Sequence, residues 1–227
     1  MKLHLVALIT ALFLVAATSA HSQTLNWGDE VFSDLADSKG AALNNTFVFE
    51  IGSFNAAFTP TTANVSDWSV NWRAFDQAAF NPSIGYFTSS VQMMGDSLNP
   101  NTVHSSYPGA GTINFSGLDA YLWVKNSNDP VEGTEWLLTR ASNWTFPTNA
   151  GDCCNKDVIE WSVSDLTSAN TPVYGNQDGI LGGGHYTDPS PGSHTLQTFT
   201  FVPEPSSALL GLVTGCCMIL RRRRINP

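Results

Sequence analysis

Charged side chains are scarce in this sequence: they make up 13% of its 227 residues, against about 25% in typical soluble proteins. Basic residues are the rarer kind, with 10 Lys and Arg against 19 Asp and Glu. Between residues 23 and 202 the chain carries 18 acidic and five basic residues, a net charge of −13. Such a surface repels phosphate backbones, so we expect no nucleic-acid partner.

Sequence motifs for catalysis are also missing. The chain has no G-x-S-x-G nucleophile turn, no phosphate-binding P-loop, no G-x-G-x-x-G dinucleotide turn and no H-E-x-x-H metal pair. A glycoside hydrolase needs only two facing carboxylates, and the spacing of the acidic residues does not nominate a pair. The sequence therefore favours a protein that is not an enzyme. A secreted polysaccharide hydrolase with an unrecognised carboxylate pair is the alternative.

Apolar residues, by contrast, are abundant. Hydrophobic residues make up 42% of the chain and include seven Trp and 13 Phe. This content can form a buried core, which excludes a mainly disordered chain. The length suits one domain with accessory segments at its ends.

The first accessory segment is at the N-terminus. Residues 1–22 begin with Lys2, continue as an apolar run over residues 5–17 and end in small residues. This is the three-part pattern of a secretory signal peptide, and its apolar run is too short for a comfortable membrane span. We therefore predict an exported chain, with cleavage after Ala20 or after Ser22.

The second accessory segment is at the C-terminus. Its parts, in order, are Val202, Pro203, Glu204 and Pro205, an apolar stretch at 206–220, and Arg221, Arg222, Arg223 and Arg224. The apolar stretch is shorter than the about 20 residues that cross a hydrocarbon core. Arginine side chains, however, reach the lipid head groups and are retained on the cytoplasmic side. We predict a transmembrane helix at 206–220 and an extracytoplasmic domain at 23–201.

This order of Pro-Glu-Pro, short apolar helix and arginine cluster resembles the PEP-CTERM sorting signal of bacterial surface proteins, over residues 202–224. The same kind of segment is also catalogued as an ice-binding protein C-terminal domain. The resemblance implies that Val202 to Pro205 are a sorting motif for an exosortase-type processing enzyme and that the arginine cluster is a membrane stop. It implies a membrane-anchored protein that, after processing, reaches the cell surface or the exterior, in systems linked to extracellular polysaccharide. An ordinary proline linker before a permanent anchor is the alternative.

Between the two ends the hydrophobic pattern is mostly that of β-strands. Residues alternate between apolar and polar in segments 46–51, 86–94, 158–163 and 195–201, and are more continuously apolar at 120–124 and 134–139, as in central strands. One segment differs, because Trp68, Trp72, Phe75 and Ala79 have the spacing of one helical face. We predict an all-β fold, an antiparallel β-sandwich of jelly-roll-like type, with one short amphipathic helix at about 66–79.

The glycine- and proline-rich segment 171–194 is the longest predicted loop and a candidate for function, with a connection of no function as the alternative. Asn176, Asp178 and Asp188 in this segment offer the oxygen ligands that calcium prefers. The EF-hand spacing is absent, so a solvated acidic loop is the favoured interpretation. The sequence thus predicts no metal site and no cofactor, with calcium as the alternative.

The four cysteines form two adjacent pairs. Outside the cell Cys153 and Cys154 either close a strained ring on each other, remain free or pair between molecules. Cys216 and Cys217 lie in the predicted membrane helix, where we interpret them as small apolar residues. No C-x-x-C spacing is present, so a zinc site is not expected.

Three aromatic residues near predicted strand ends or loops are candidates for stacking on sugar rings: Trp27, Trp144 and Tyr186. For any single one of them, burial in the core is the favoured interpretation. With the two accessory segments, they lead to the hypothesis of an exported, non-enzymatic protein of the cell envelope or extracellular matrix that binds extracellular polysaccharide.

Overall fold

The computed structural model describes residues 22–30, 33–96, 98–150, 157–166, 171–186 and 191–202. Several predicted features lie outside these residues: the signal peptide up to residue 21, Pro203 to Pro205, the membrane helix at 206–220, the arginine cluster, Cys153, Cys154 and Asp188. Within the described parts of the chain, no helix is long and apolar enough to cross a membrane.

Strands dominate the described residues. They are β1 (Ser22–Gly28), β2 (Leu35–Ala36), β3 (Val48–Phe54), β4 (Trp72–Ala79), β5 (Thr88–Asp96), β6 (Asn99–Ser105), β7 (Tyr121–Lys125), β8 (Glu135–Thr139), β9 (Ile159–Ser162), β10 (Asn176–Gln177), β11 (Ile180–Leu181), β12 (Leu196–Gln197) and β13 (Phe199–Thr200). One short helix, α1 (Trp68–Asn71), follows a 3-10 segment at Thr62–Asp67, and two 3-10 turns lie at Pro108–Ala110 and Val163–Asp165. The all-β prediction is confirmed, and each predicted strand segment overlaps a strand.

The strands form three sheets. One has the order β6-β5-β1-β9, and we refer to it as the four-stranded sheet. The five-stranded sheet has the order β13-β8-β7-β3-β4, and a small third sheet has the order β11-β10-β12-β2. The sheets are not purely antiparallel as predicted, because β1 pairs with β9 and β12 pairs with β2 in parallel. Both parallel pairs join strands that are far apart in the sequence, so the chain between them makes the long crossover that parallel pairing needs.

The main core contains side chains from the first two sheets. Alternate residues of each strand point into it. From the four-stranded sheet come Leu25, Trp27, Val91, Met93 and Trp161, and from the five-stranded sheet come Phe49, Ile51, Phe75, Leu122, Val124 and Leu137. The two-residue period of β3 and β5 is therefore the direct consequence of having one face of each strand in this core.

A second cluster buries the outer face of the five-stranded sheet. It contains Phe54, Val65, Trp68, Trp72, Trp123, Trp136, Leu138, Tyr174, Phe199 and Phe201. The rings meet edge-on or stacked, as aromatic pairs prefer; the Trp68 and Trp136 rings, for example, are 5.9 Å apart with an interplanar angle of 16°. Because both faces of β7 and β8 are buried, those strands are apolar without alternation. We refer to this set of residues as the aromatic layer.

The predicted helix at 66–79 is wrong beyond Asn71. Residues Trp72–Ala79 form β4, an edge strand paired with β3. The register shifts where Ile51 faces Asp76 and Gly52 faces Ala74, which leaves Phe75 as the extra residue of a β-bulge. The bulge turns Phe75 into the main core, whereas Trp72 packs in the aromatic layer. The spacing that imitates one helical face therefore comes from a short helix followed by a bulged strand.

Candidate functional site

The glycine-rich part of the chain at 171–186 is tightly packed against the aromatic layer. Tyr174, Gly175, Asn176 and Gln177 are buried. A Cβ atom on Gly182 would lie 2.3 Å from the carbonyl oxygen of Pro172, so that the backbones approach more closely than any other residue type allows. The glycines here permit close packing of backbone on backbone. We refer to residues 171–186 as the wall.

That wall borders an open cleft of about 510 Å³. Its lining comes from four separate segments: Thr62, Ala63, Val65 and Ser66 from the 3-10 segment, Pro130 from the β7–β8 connection, Tyr174, Gly184 and His185 from the wall, and Phe201 and Val202 after β13. Its volume exceeds that of the pocket of about 140 Å³ beside Glu50 and Lys125. The cleft is the candidate functional site.

The polar groups of the cleft are hydroxyls and one imidazole. Thr62, Ser66 and His185 contribute these groups. The Tyr174 hydroxyl is already engaged, since it donates to the carbonyl oxygen of Thr200 at 3.0 Å. Burial raises the pKa of Tyr174 to about 12, so this phenol remains protonated at neutral pH. Tyr174 therefore supplies an apolar surface and a fixed position, while the other three supply hydrogen bonds.

Aromatic and aliphatic surface lies beside these polar groups. Phe201 packs against Trp136 with ring centroids 5.6 Å apart and keeps little exposure. Tyr186, next to His185 in the chain, is 40% exposed, and its ring lies 5.1 Å from that of Phe199. Val202 is 44% exposed at the edge of the cleft. Such a mixture of hydroxyls, imidazole and exposed ring surface suits a ligand with both apolar and hydroxyl faces.

Two of the three predicted sugar-stacking residues are unavailable for that role. Trp27 is 4% exposed, and its indole N–H donates to Asp76 at 2.7 Å. Trp144 is 2% exposed and stacks on Trp161 with centroids 5.6 Å apart. Both rings are core residues, because each lies between the apolar faces of the sheets and not at their ends. Of these three candidates, Tyr186 is the one whose ring is exposed enough for a sugar to reach.

Of the three calcium candidates the structure describes Asn176 and Asp178, and these two lie in different surroundings. Asn176 is fully buried, and its amide nitrogen donates to the carbonyl oxygen of Gly192 and to Gln197. Asp178 is exposed in the turn after β10, with a φ of 49°. Within the described ranges no group of three His, Cys, Asp or Glu side chains converges on one point. The two residues therefore belong to a buried strand and an exposed turn, respectively.

The sequence analysis did not identify the residues on the other sides of the cleft. Thr62, Ser66 and Pro130 belong to short connections with ordinary composition. The high glycine content of 171–194 is the one sequence feature that indicated this region. It indicated the wall and none of the residues on the other sides of the cleft. Known proteins offer no further guide, because no family model, no curated protein and no solved structure matches the chain.

Proposed function

We propose that this chain is an exported, surface-sorted, non-enzymatic protein of the cell envelope or extracellular matrix, and that its β domain binds extracellular polysaccharide in the cleft. The signal-peptide pattern and the PEP-CTERM resemblance support export and sorting. We also propose that the sandwich is of jelly-roll-like type. Lectin domains, which bind sugars, often have this type of sandwich.

The observation that carries the binding proposal is the composition of the cleft. Thr62, Ser66 and His185 offer hydrogen-bonding groups, and the exposed ring of Tyr186 follows His185 in the chain. A sugar has polar hydroxyls around an apolar ring face, and it needs both kinds of partner. A volume of about 510 Å³ lies within the range of sites that hold small organic ligands or a short stretch of a polymer.

The test is retention of the full chain on the immobilised extracellular polysaccharide of the producing organism. We expect retention without release of reducing ends. Ala63→Trp fills the cleft and should abolish retention, whereas Ala57→Trp places the same ring at an exposed position that does not line the cleft and should leave retention intact. Tyr186→Ala should weaken retention by removing the exposed ring.

Each alternative has a distinct result in this experiment. Released reducing ends that disappear on substitution of one Asp or Glu would establish the hydrolase. Absence of retention, or retention unchanged by Ala63→Trp, would overturn binding in the cleft.

The sorting part is tested separately in the producing cells. Replacing Pro203, Glu204 and Pro205 together by alanine should keep the chain in the membrane fraction, because the processing enzyme would no longer recognise the motif. Normal release of that variant would overturn the sorting proposal and leave the binding proposal unaffected.

A further inference from the structure

A second, smaller pocket lies over a buried ion pair on the outer face of the five-stranded sheet. It has a volume of about 140 Å³ and is lined by Val48, Glu50, Gln77, Lys125, Asn126, Ser127 and Asn128. The strand register places Val48 opposite Lys125, and Glu50 opposite both Trp123 and Gln77. These side chains therefore share one face of the sheet, beside the aromatic layer. None of them lines the polysaccharide cleft described above.

The ion pair is closely joined and well enclosed. Lys125 Nζ donates to Glu50 Oε2 at 2.6 Å, and Trp72 Nε1 donates to the same oxygen at 2.7 Å. The ammonium also lies 4.0 Å from the centre of the Trp123 ring. Lys125 is 5% exposed and Glu50 is 8% exposed. Burial lowers the pKa of Lys125, and the attraction of Glu50 opposes that change.

Stability alone does not account for a pair of charges at this place. A buried ion pair is often no more stabilising than apolar side chains of similar volume. The neighbouring outer positions Trp72, Trp123 and Trp136 show that this face accommodates apolar groups. A buried ionisable pair that lines an open pocket is a candidate for a binding role.

The pair retains hydrogen-bonding capacity toward the pocket. Among the described residues, the two donors to Glu50 are Trp72 and Lys125, and both use Oε2, which leaves Oε1 without a donor. An ammonium has three N–H donors, and one of those of Lys125 is used by Glu50. The amide of Asn128 and the hydroxyl of Ser127 complete a polar rim. The pocket thus offers an acceptor and a donor side by side.

The charge balance selects the kind of ligand. The pair has no net charge, so an anion or a cation would leave one charge uncompensated in a poorly solvated place. A hydroxyl group both donates and accepts, and two neighbouring hydroxyls can engage Glu50 and Lys125 together without adding charge. At about 30 Å³ per water, the pocket holds roughly five waters, which is room for a group of several heavy atoms.

We propose that the pocket over Glu50 and Lys125 is a binding site for a neutral polyhydroxyl group, with a pair of adjacent hydroxyls bridging the carboxylate and the ammonium. The ligand is either a free sugar or one sugar unit of a polymer. This site is separate from the polysaccharide cleft and does not depend on it.

The experiment uses the purified full-length chain with D-glucose, D-galactose and D-mannose as probes, and acetate and ethanolamine as charged comparison probes. Trp72 and Trp123 contact the ion pair directly, so tryptophan fluorescence reports occupancy, and ligand-observed NMR provides an independent measure. We expect saturable binding of at least one sugar and none of the charged probes. Asn128→Ala should weaken binding by about tenfold, as expected for one hydrogen bond.

A pocket-filling variant provides the decisive comparison. Val48→Met extends a side chain into the pocket without altering the ion pair and should abolish sugar binding. Val70→Met makes the same change at a valine that is 70% exposed and does not line the pocket, and should leave binding unchanged. Ala63→Trp should also leave it unchanged, which distinguishes this pocket from the cleft.

The same variants identify the source of the ligand. If no free sugar binds but polymer retention is lost in Val48→Met and kept in Val70→Met, the ligand is a sugar unit of the polymer. The proposal is overturned if free sugars do not bind and Val48→Met leaves polymer retention intact. It is also overturned if sugar binding survives Val48→Met, or if acetate or ethanolamine binds in place of sugars.

Discussion

The indole N–H of Trp27 on the four-stranded sheet donates a 2.7 Å hydrogen bond to the carboxylate of Asp76 on the five-stranded sheet. The same oxygen of Asp76 accepts from the Ser89 hydroxyl at 2.7 Å. Asp76 is 5% exposed, and the bulge at Phe75 is what turns its carboxylate toward the opposite sheet. A charged group in the core is tolerated because two donors from the facing sheet satisfy it.

Asp76→Ala should therefore be strongly destabilising. The substitution leaves the Trp27 N–H and the Ser89 hydroxyl without their acceptor, and we expect the free energy of unfolding to fall by about 3 kcal/mol. Urea unfolding followed by tryptophan fluorescence measures the change. Ser89→Ala removes only the less buried donor and should cost about 1 kcal/mol. Equal losses in the two variants would show that Asp76 does not link the sheets as described.

The wall of the cleft should be sensitive to a single methyl group. In Gly182→Ala the new Cβ would meet the Pro172 carbonyl oxygen at 2.3 Å, and backbone atoms cannot rotate away. We expect a loss of about 3 kcal/mol in the free energy of unfolding and reduced polysaccharide retention. Gly133→Ala is the comparison, because that glycine has a φ of 85° and open space around it. Its backbone strain alone should cost about 1 kcal/mol.

If Gly182→Ala and Gly133→Ala are equally stable, the backbone at 171–186 is looser than the structure indicates. Thermal unfolding of both variants beside the wild type gives this comparison directly.

The sequence predicted the strands correctly where burial of one strand face determined the hydrophobic pattern. Phe49 and Ile51 obey the two-residue period because one face of β3 lies in the core. The strand β1 was missed because its first buried residue, Gln23, is polar and leaves only Leu25 and Trp27 as apolar alternation. The helix at 66–79 was wrong because a β-bulge changes the phase of the pattern, and that change depends on the partner strand.

The sites were less predictable than the fold, for a related reason. Trp27 and Tyr186 are both aromatic residues near strand ends in the sequence, yet one is in the core and the other is exposed. Whether such a ring is buried depends on which strands pack over it. Those contacts join residues that are far apart in the sequence. Likewise, Glu50 and Lys125 are 75 residues apart in the chain and become neighbours only through the pairing of β3 with β7.

Stability should depend on pH through Asp29, which follows β1. Its Oδ1 accepts the Phe87 N–H at 2.8 Å, while its Oδ2 is buried and accepts from no described residue. Burial raises the pKa of Asp29 from 3.8 to about 6, against the opposite effect of its backbone hydrogen bonds. The folded state therefore binds the Asp29 proton more tightly than the unfolded state does. The resulting contribution to the free energy of unfolding is complete below about pH 4 and is lost as the pH rises through about 6.

Asp29→Asn should remove this dependence, because the amide keeps an acceptor for Phe87 and has no charge to desolvate. Above pH 6 we expect the variant to be more stable than the wild type by about 1 kcal/mol, a value reduced for partial solvent screening. Urea unfolding across this pH range measures the difference. Asp67→Asn, at an exposed carboxylate, should keep the wild-type slope. An unchanged slope in Asp29→Asn would contradict the assignment to this residue.

The buried pair of Glu50 and Lys125 should respond asymmetrically to the removal of one charge or of both. Lys125→Met leaves the Glu50 carboxylate buried with Trp72 as its one donor among the described residues, and we expect a loss of about 3 kcal/mol. In the double variant Glu50→Gln with Lys125→Met, no charge remains and the glutamine oxygen still accepts from Trp72. Its loss should therefore be smaller, about 1 kcal/mol. Urea unfolding of both variants measures these losses. If the double variant is as unstable as Lys125→Met, the attraction between Glu50 and Lys125 itself stabilises the fold. That result would weaken the argument that the two charges are retained for a ligand.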